Sequence, residues 1–292
     1  MMNKLVALFT IFLAVGMVQA QNNILNAKSF DEIGEKTLEQ VINDNDKPLP
    51  YGFVGDRDIL WERNVWEKID LDEKVNFPLY YPVDTNFVGS ERRSLFHVIT
   101  KAAAEGKVKL YADSYGNTER KFEDLGSSLK RVDTSDVGIQ RYNETGSVPA
   151  EFITTTTINA NMVSQYHIRG VWYFDSRQAE MKYRMIALAP VTPDVNFLDD
   201  PQGIELFWVF YPDMRDILHE AKVFNEKNSA RPLTFDHLLN SRHFNATIYK
   251  IDNVQGDREI ESYITNNSMM QLLESDRLKE TIRNFELDMW NY

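Results

Sequence analysis

Tyr166 to Met185 reads YHIRGVWYFDSRQAEMKYRM, and two alternations inside it decide the fold. Tyr166, Ile168, Trp172 and Phe174 alternate with His167, Arg169, Tyr173 and Asp175, a period of two that marks a half-buried strand. Asp175, Ser176 and Arg177 supply a polar turn. Ala179, Met181, Tyr183 and Met185 then face one way and Glu180, Lys182 and Arg184 the other. The two apolar rows have opposite numerical parity, so an even loop puts them on one sheet face, whereas an odd loop needs a bulge. Gly170 interrupts the first row. On a four-residue loop it is expected opposite Tyr183, whose ring would cover the gap.

Downstream, Asp199, Asp200, Pro201, Gln202 and Gly203 read as a turn, and Leu206 to Tyr211 is apolar on both faces, as an interior strand would be. Pro212 stops that strand, and Asp213 is placed to cap a helix carrying Ile217, Leu218, Ala221 and Phe224. Thr234 has the character of an N-cap, with Leu233 able to staple to Leu238 across it. Phe244 to Ile251 suits a further strand. From Met269 a long helix is expected, with Leu278, Ile282, Phe285 and Met289 on one stripe, either packed on the sheet or offered to a partner.

Upstream, Ile59, Leu60, Trp61, Val65, Trp66 and Ile69 recur at helical spacing behind Asp56 or Asp58 as a cap. Phe77, Leu79 and Tyr81 alternate as a short strand closed by Pro82. A helix from about Ser90 carries Leu95, Ile99 and Ala102 or Ala103 on one face and ends at Gly106. Arg92 and Arg93 fall in its expected first turn, where the helix dipole disfavours cations, so they face either solvent or an outside anionic partner. Lys107 to Ala112 reads as a strand. Asp113 to Thr157 is a polar excursion from the core, with four threonines in a row from Thr154.

These elements specify an α+β fold: an antiparallel sheet with aromatic-rich strands, packed against several amphipathic helices and closed by a long C-terminal helix. Residues 58–292 are expected to form a single domain with the excursion at 113–157. Residues 21–57 are a lead-in, with a helix over Phe30 to Ile42 and a Pro48 to Gly55 segment that cannot be regular helix. Asp44 and Asp46 do not fit a calcium loop, because Pro48 and Pro50 stand where ligands and the turn glycine are needed. Residues 1–20 have the pattern of a signal peptide: Lys4, the apolar run Leu5 to Val18, and the small-x-small end Val18, Gln19, Ala20.

The chain of 292 residues carries a net charge of −12, which argues against nucleic acid or anionic lipid as a main partner. It has no cysteine, so disulfides, thiolate metal sites and a lipid-modified N-terminal cysteine are excluded. No motif for a nucleophile elbow, zinc helix, P-loop or dinucleotide fold occurs. His97, His167, His219, His237 and His243 are scattered, and acid-x-acid pairs are no commoner than 44 acids in 292 residues give by chance. No catalytic residue, cofactor site or metal site is therefore assigned. Of the tryptophans, Trp172 and Trp208 belong to strands and suit core packing, whereas Trp61, Trp66 and Trp290 suit packing or an interface equally.

Several long, aromatic-rich blocks then carry a resemblance. DILWERNVWEKID at Asp58 to Asp70, PLYYP at Pro78 to Pro82, RRSLFHVITKAAAEGKV at Arg92 to Val108, WYFD with MKYRMIALAPV, LFWVFYP at Leu206 to Pro212, and LLESDRLKETIRNFELDMW near the end resemble the GldN/PorN family. The resemblance implies a periplasmic, non-catalytic component of the type IX secretion system, linked to gliding motility. It implies a partner outer-membrane lipoprotein, GldK/PorK, with which the subunit self-associates in a ring, and contact with the inner-membrane-anchored GldM/PorM. No functional motif of the family transfers a site residue. Trp61, Trp66, Arg92, Arg93 and the excursion are the candidate contact surfaces, with no direct insertion into a membrane. The rival expectations are a periplasmic carbohydrate-binding or glycan-cleaving protein, which needs an open aromatic cleft with paired carboxylates, and a cargo chaperone with an exposed apolar groove.

Overall fold

The computed structural model describes residues 47–84, 92–198, 203–225 and 233–290. The expected signal peptide, the helix over Phe30 to Ile42, and Asp44 and Asp46 lie outside them. Strand β1 (Ile59–Asp70) is followed by a 3-10 turn and helix α1 (Phe77–Tyr80), then α2 (Leu95–Ala104) and the hairpin strands β2 (Leu110–Tyr111) and β3 (Glu119–Arg120). The excursion holds α3 (Gly126–Leu129), β4 (Lys130–Thr134), α4 (Asp136–Thr145) and β5 (Ile153–Thr157). The long hairpin β6 (Gln165–Asp175) and β7 (Glu180–Thr192) leads to β8 (Ile204–Glu205), β9 (Trp208–Phe210) and α5 (Tyr211–Glu220). The short pair β10 (Lys222–Val223) and β11 (Leu233–Thr234), α6 (Phe235–Asn240), β12 (Thr247–Ile251), α7 (Ile260–Tyr263) and α8 (Ser268–Trp290) complete the chain.

The main sheet runs β12-β1-β6-β7-β9-β2-β3, with β8 beside β7, and its strand pairs are antiparallel, which makes the fold α+β. β6 and β7 form the expected hairpin on a four-residue loop, Ser176 to Ala179. The register starts one residue later than expected, so Gly170 lies opposite Met185 and Tyr183 opposite Trp172. The tyrosine still covers the glycine, now diagonally: a Cβ at Gly170 would run into the Tyr183 ring. A bulge between Arg169 and Gly170 shifts the register once more, with Ile186 as the additional residue on β7.

Register sorts the side chains. Ile69, Tyr166, Ile168, Met185, Leu188, Val209 and Leu110 share one face and one core with helices α2, α5 and α6. Farther along that face Val65 and Ile248 meet Leu278 and Ile282 of α8, with Trp61 and Trp172 alongside. The opposite face carries a smaller cluster of Trp66, Ala187, Ala189 and Trp208, flanked by Tyr111 and Tyr249.

Three expectations are corrected. Ile59 to Ile69 is not a helix but β1, an interior strand between β12 and β6. In its second half Val65 and Ile69 are buried on one face and Trp66 on the other, and buried apolar side chains on the two faces of an interior strand together imitate helical spacing. Phe77, Leu79 and Tyr81 do not form a strand: Pro78 sits in the first turn of α1, where its fixed φ and missing N–H suit a helix start. Asn76 just before it donates to the carbonyls of Asp70 and Asn245 and accepts from Asn245 N–H, tying α1 to the start of β12. Finally, Arg92 and Arg93 precede α2 rather than opening it, because Ser94 is the N-cap and its hydroxyl accepts from His97 N–H.

Other boundaries are narrower than read. β2 covers only Leu110 and Tyr111, and α5 begins at Tyr211, so Asp213 lies in its first turn instead of capping it, and Ala221 and Phe224 fall beyond its end. Gly106 takes the left-handed conformation that closes α2 (φ 68°), and Thr234 caps α6 by accepting from His237 N–H, both as expected. The polar excursion contains its own two-stranded sheet, β4 with β5.

Candidate functional site

The face of the main sheet opposite the helices carries the densest polar and aromatic arrangement. Alternation on β6 aims His167 and Arg169 at that face, and β1 and β12 bring Trp66 and Lys250 beside them as a register pair. The Arg169 guanidinium donates to the Ser114 carbonyl at 3.0 Å and to Asn64 Oδ1 at 3.2 Å. It lies over Trp66 at 5.2 Å and Tyr115 at 4.9 Å, and the Lys250 ammonium lies over the same rings at 4.6 Å and 5.2 Å. Arg169 stands opposite Ala187, whose small side chain leaves room beside the guanidinium. The result is a hollow of about 250 Å3 lined by Tyr111, Tyr115, Ile186, Trp208 and Phe210, with Asp113 at its rim.

Two carboxylates steady this face. Tyr115 donates to Asp257 at 2.5 Å; burial and that bond push the phenol up to about 12, and the same bond holds the Asp257 carboxyl below its ordinary range. Glu205 accepts from Trp208 Nε1 at 2.8 Å and meets His167 Nδ1 at 2.6 Å. Burial pushes its carboxyl up, but the hydrogen bonds and charge of His167 and the bond from Trp208 outweigh that, so it sits below its ordinary value. Chemically the arrangement presents two cations on an aromatic bed, suited to holding the sheet face flat or to meeting an anionic group. Among the described residues no three His, Asp or Glu side chains gather as a metal site, and no helix is long and apolar enough to cross a membrane.

The four contact residues singled out in the sequence do not come together. Trp66 is 1% exposed, roofed by Arg169 and Lys250, with Nε1 donating to Ser114 Oγ. Trp61 stacks on Phe285 of α8 at 4.7 Å, so it anchors the C-terminal helix. Arg92 is exposed, its backbone forms a parallel bridge with that of Lys222 in β10, and its guanidinium lies over the Phe224 ring at 4.8 Å. Arg93 is half-buried beside it. Trp290 side-chain placement lies outside the described residues.

Sequence reading passed over Arg169, Lys250 and Glu205. The alternation at Tyr166 to Phe174 already set His167 and Arg169 on the non-core face, but their meeting with Trp66, Tyr115 and Glu205 depends on the strand order. Among the exposed large apolar side chains are two groups: Met269, Met270, Leu272 and Leu273 at the start of α8, and Val132, Val137, Ile139, Tyr142 and Ile153 in the excursion.

Comparison with curated proteins gave no match. Residues 54–291 match the family described as gliding motility associated protein GldN. That span takes in all the main-sheet strands, the excursion and the whole of α8, and the chain belongs to the GldN family.

Proposed function

We propose that this protein is a non-catalytic structural subunit of the gliding-motility and type IX secretion apparatus, working in the periplasm. The observation that carries the reading is the family match over residues 54–291. On this reading an outer-membrane lipoprotein of the GldK/PorK kind holds the subunit at the membrane, copies repeat around a ring, and the inner-membrane-anchored GldM/PorM reaches it from the other side. Repetition would let many individually weak contacts act together. The exposed apolar turns of α8 and the apolar side chains of the excursion supply surface for such contacts. A glycan-cleaving reading needs two facing carboxylates, and the sheet-face hollow is rimmed by one, Asp113, whose Oδ1 already accepts from Asn117 N–H.

The test is affinity purification of the tagged protein from detergent-solubilised envelopes, followed by mass spectrometry and electron microscopy. A lipoprotein recovered in comparable amount, in ring-shaped particles, is the expected outcome. A monodisperse monomer from gently lysed cells overturns the reading.

A further inference from the structure

The excursion ends in a strand with one side unclaimed. Among the described residues β5 pairs only with β4, in a register that sets Lys130 opposite Thr157 and Thr134 opposite Ile153. At one end of the ladder Ser135 N–H donates to the Phe152 carbonyl, and at the other Ile158 N–H donates to the Leu129 carbonyl. Antiparallel bonding alternates residue by residue, so Thr154 and Thr156, like the Phe152 carbonyl and the Ile158 N–H at the two ends, aim their backbone groups at β4. The N–H and C=O groups of Ile153, Thr155 and Thr157 therefore aim outward, and no hydrogen bond among the described residues uses them. Ile153, Thr155 and Thr157 are all exposed. Natural edges are usually blunted by charge, proline or a bulge, and the sequence ITTTT has none of these.

We propose that β5 is an isologous contact that pairs with β5 of a second copy, joining two β4–β5 sheets into one of four strands. The strand is self-complementary about Thr155. Antiparallel pairing centred there sets Ile153 against Thr157 of the second copy and Thr155 against itself, and these are the three residues whose backbone groups point outward. Thr154 then meets Thr156 between them. Every cross-strand pair is β-branched and uncharged, the combination that favours pairing and carries no like-charge penalty. On one face of the joined sheet Val132, itself exposed, continues the row beyond Thr155 on both sides.

Two five-residue strands bury little surface, so the association is weak and depends on concentration. Each copy carries a net charge of −12, so added salt strengthens it by screening the repulsion between copies. The contact closes at two copies and needs neither a lipoprotein nor a ring, so it stands or falls separately from the proposed function.

Sedimentation velocity on the purified protein across a concentration series tests it. A monomer–dimer equilibrium that tightens with salt is expected for the wild-type protein, and Thr155→Lys, which places two ammonium groups opposite each other at the dyad, abolishes it while leaving the circular dichroism spectrum unchanged. In the cysteine-free chain, Thr155→Cys cross-links to a covalent dimer under mild oxidation, whereas the fully exposed Val254→Cys does so no faster than random collision allows. A wild-type protein that stays monomeric throughout overturns the proposal. Dimerisation unaffected by Thr155→Lys, or equal cross-linking of the two cysteine variants, does the same.

Discussion

Glu67 lies in the middle of β1 with 1% of its surface exposed, a place where a lone carboxylate would be costly. Arg242 makes it tolerable by donating to both its oxygens, at 2.9 Å and 2.8 Å, and Tyr183 donates to one of them at 3.3 Å. The guanidinium is itself sandwiched by rings, 4.1 Å from Tyr183 and 5.2 Å from Trp172. Arg242→Met strands the carboxylate and is expected to cost about 3–5 kcal/mol, read as a lower urea midpoint, with Glu67→Gln restoring part of the loss in the same background. Glu205 makes the corresponding pH argument. Its folded carboxyl is held below its ordinary value of 4.5 by His167 and Trp208, so its contribution is complete above that value and is lost as pH falls through the lowered one. Glu205→Gln is therefore expected to flatten the loss of stability as pH falls below 4.5, measured by urea unfolding at a series of pH values.

At the scale of elements, the two ends of the fold treat their sheet edges differently. β12 is the last strand of the main sheet, and α8 closes it. Ile248 N–H donates to Ser275 Oγ at 2.9 Å, Lys279 donates to the Ala246 carbonyl at 2.6 Å, and the backbone of Glu259 forms an antiparallel bridge with that of Lys250. Ser275 is wholly buried, so the serine acts as a substitute strand partner within an otherwise apolar helix face. Ser275→Ala leaves a buried N–H without its acceptor and is expected to cost about 1–3 kcal/mol. Amide exchange at Ile248 should quicken relative to its neighbours in β1, and an unchanged rate would show that another group closes that edge. β5 has no such cover, which is why it carries the association argued above.

For the whole molecule, the long strands β1 and β7 contribute to both helical-face clusters and the opposite-face cluster, and β6 between them contributes to the two on the helical face, so none of the three can melt without disturbing the others. Residues from Pro48 onward make one compact unit. A chain starting at Pro48 is accordingly expected to unfold in one cooperative transition, with coincident curves from far-UV circular dichroism and tryptophan fluorescence, although its length favours intermediates in general. A fluorescence change preceding the loss of circular dichroism would separate the face around Trp66 and Trp208 from the rest.

Local pattern by itself determined the hairpin of β6 and β7, an interior strand within Leu206 to Tyr211, where only β9 is extended, the caps at Gly106 and Thr234, and the stripe of α8, because each depends on periodicity or on one residue's backbone preference. It also determined the family, through aromatic-rich blocks whose order survives along the chain. Only tertiary structure decided that Ile59 to Asp70 is a strand, since an interior strand that buries Val65 and Ile69 on one face and Trp66 on the other repeats at helical spacing, and that Phe77 to Tyr80 is helical, since Asn76 fixes that turn against Asn245. Trp66 was a surface candidate until the strand order laid Arg169 and Lys250 over its ring. Pairs such as Glu67 with Arg242 and Ile248 with Ser275 join residues far apart in the chain, and a sequence states which groups exist, whereas the meeting of distant groups is set by strand order and helix packing.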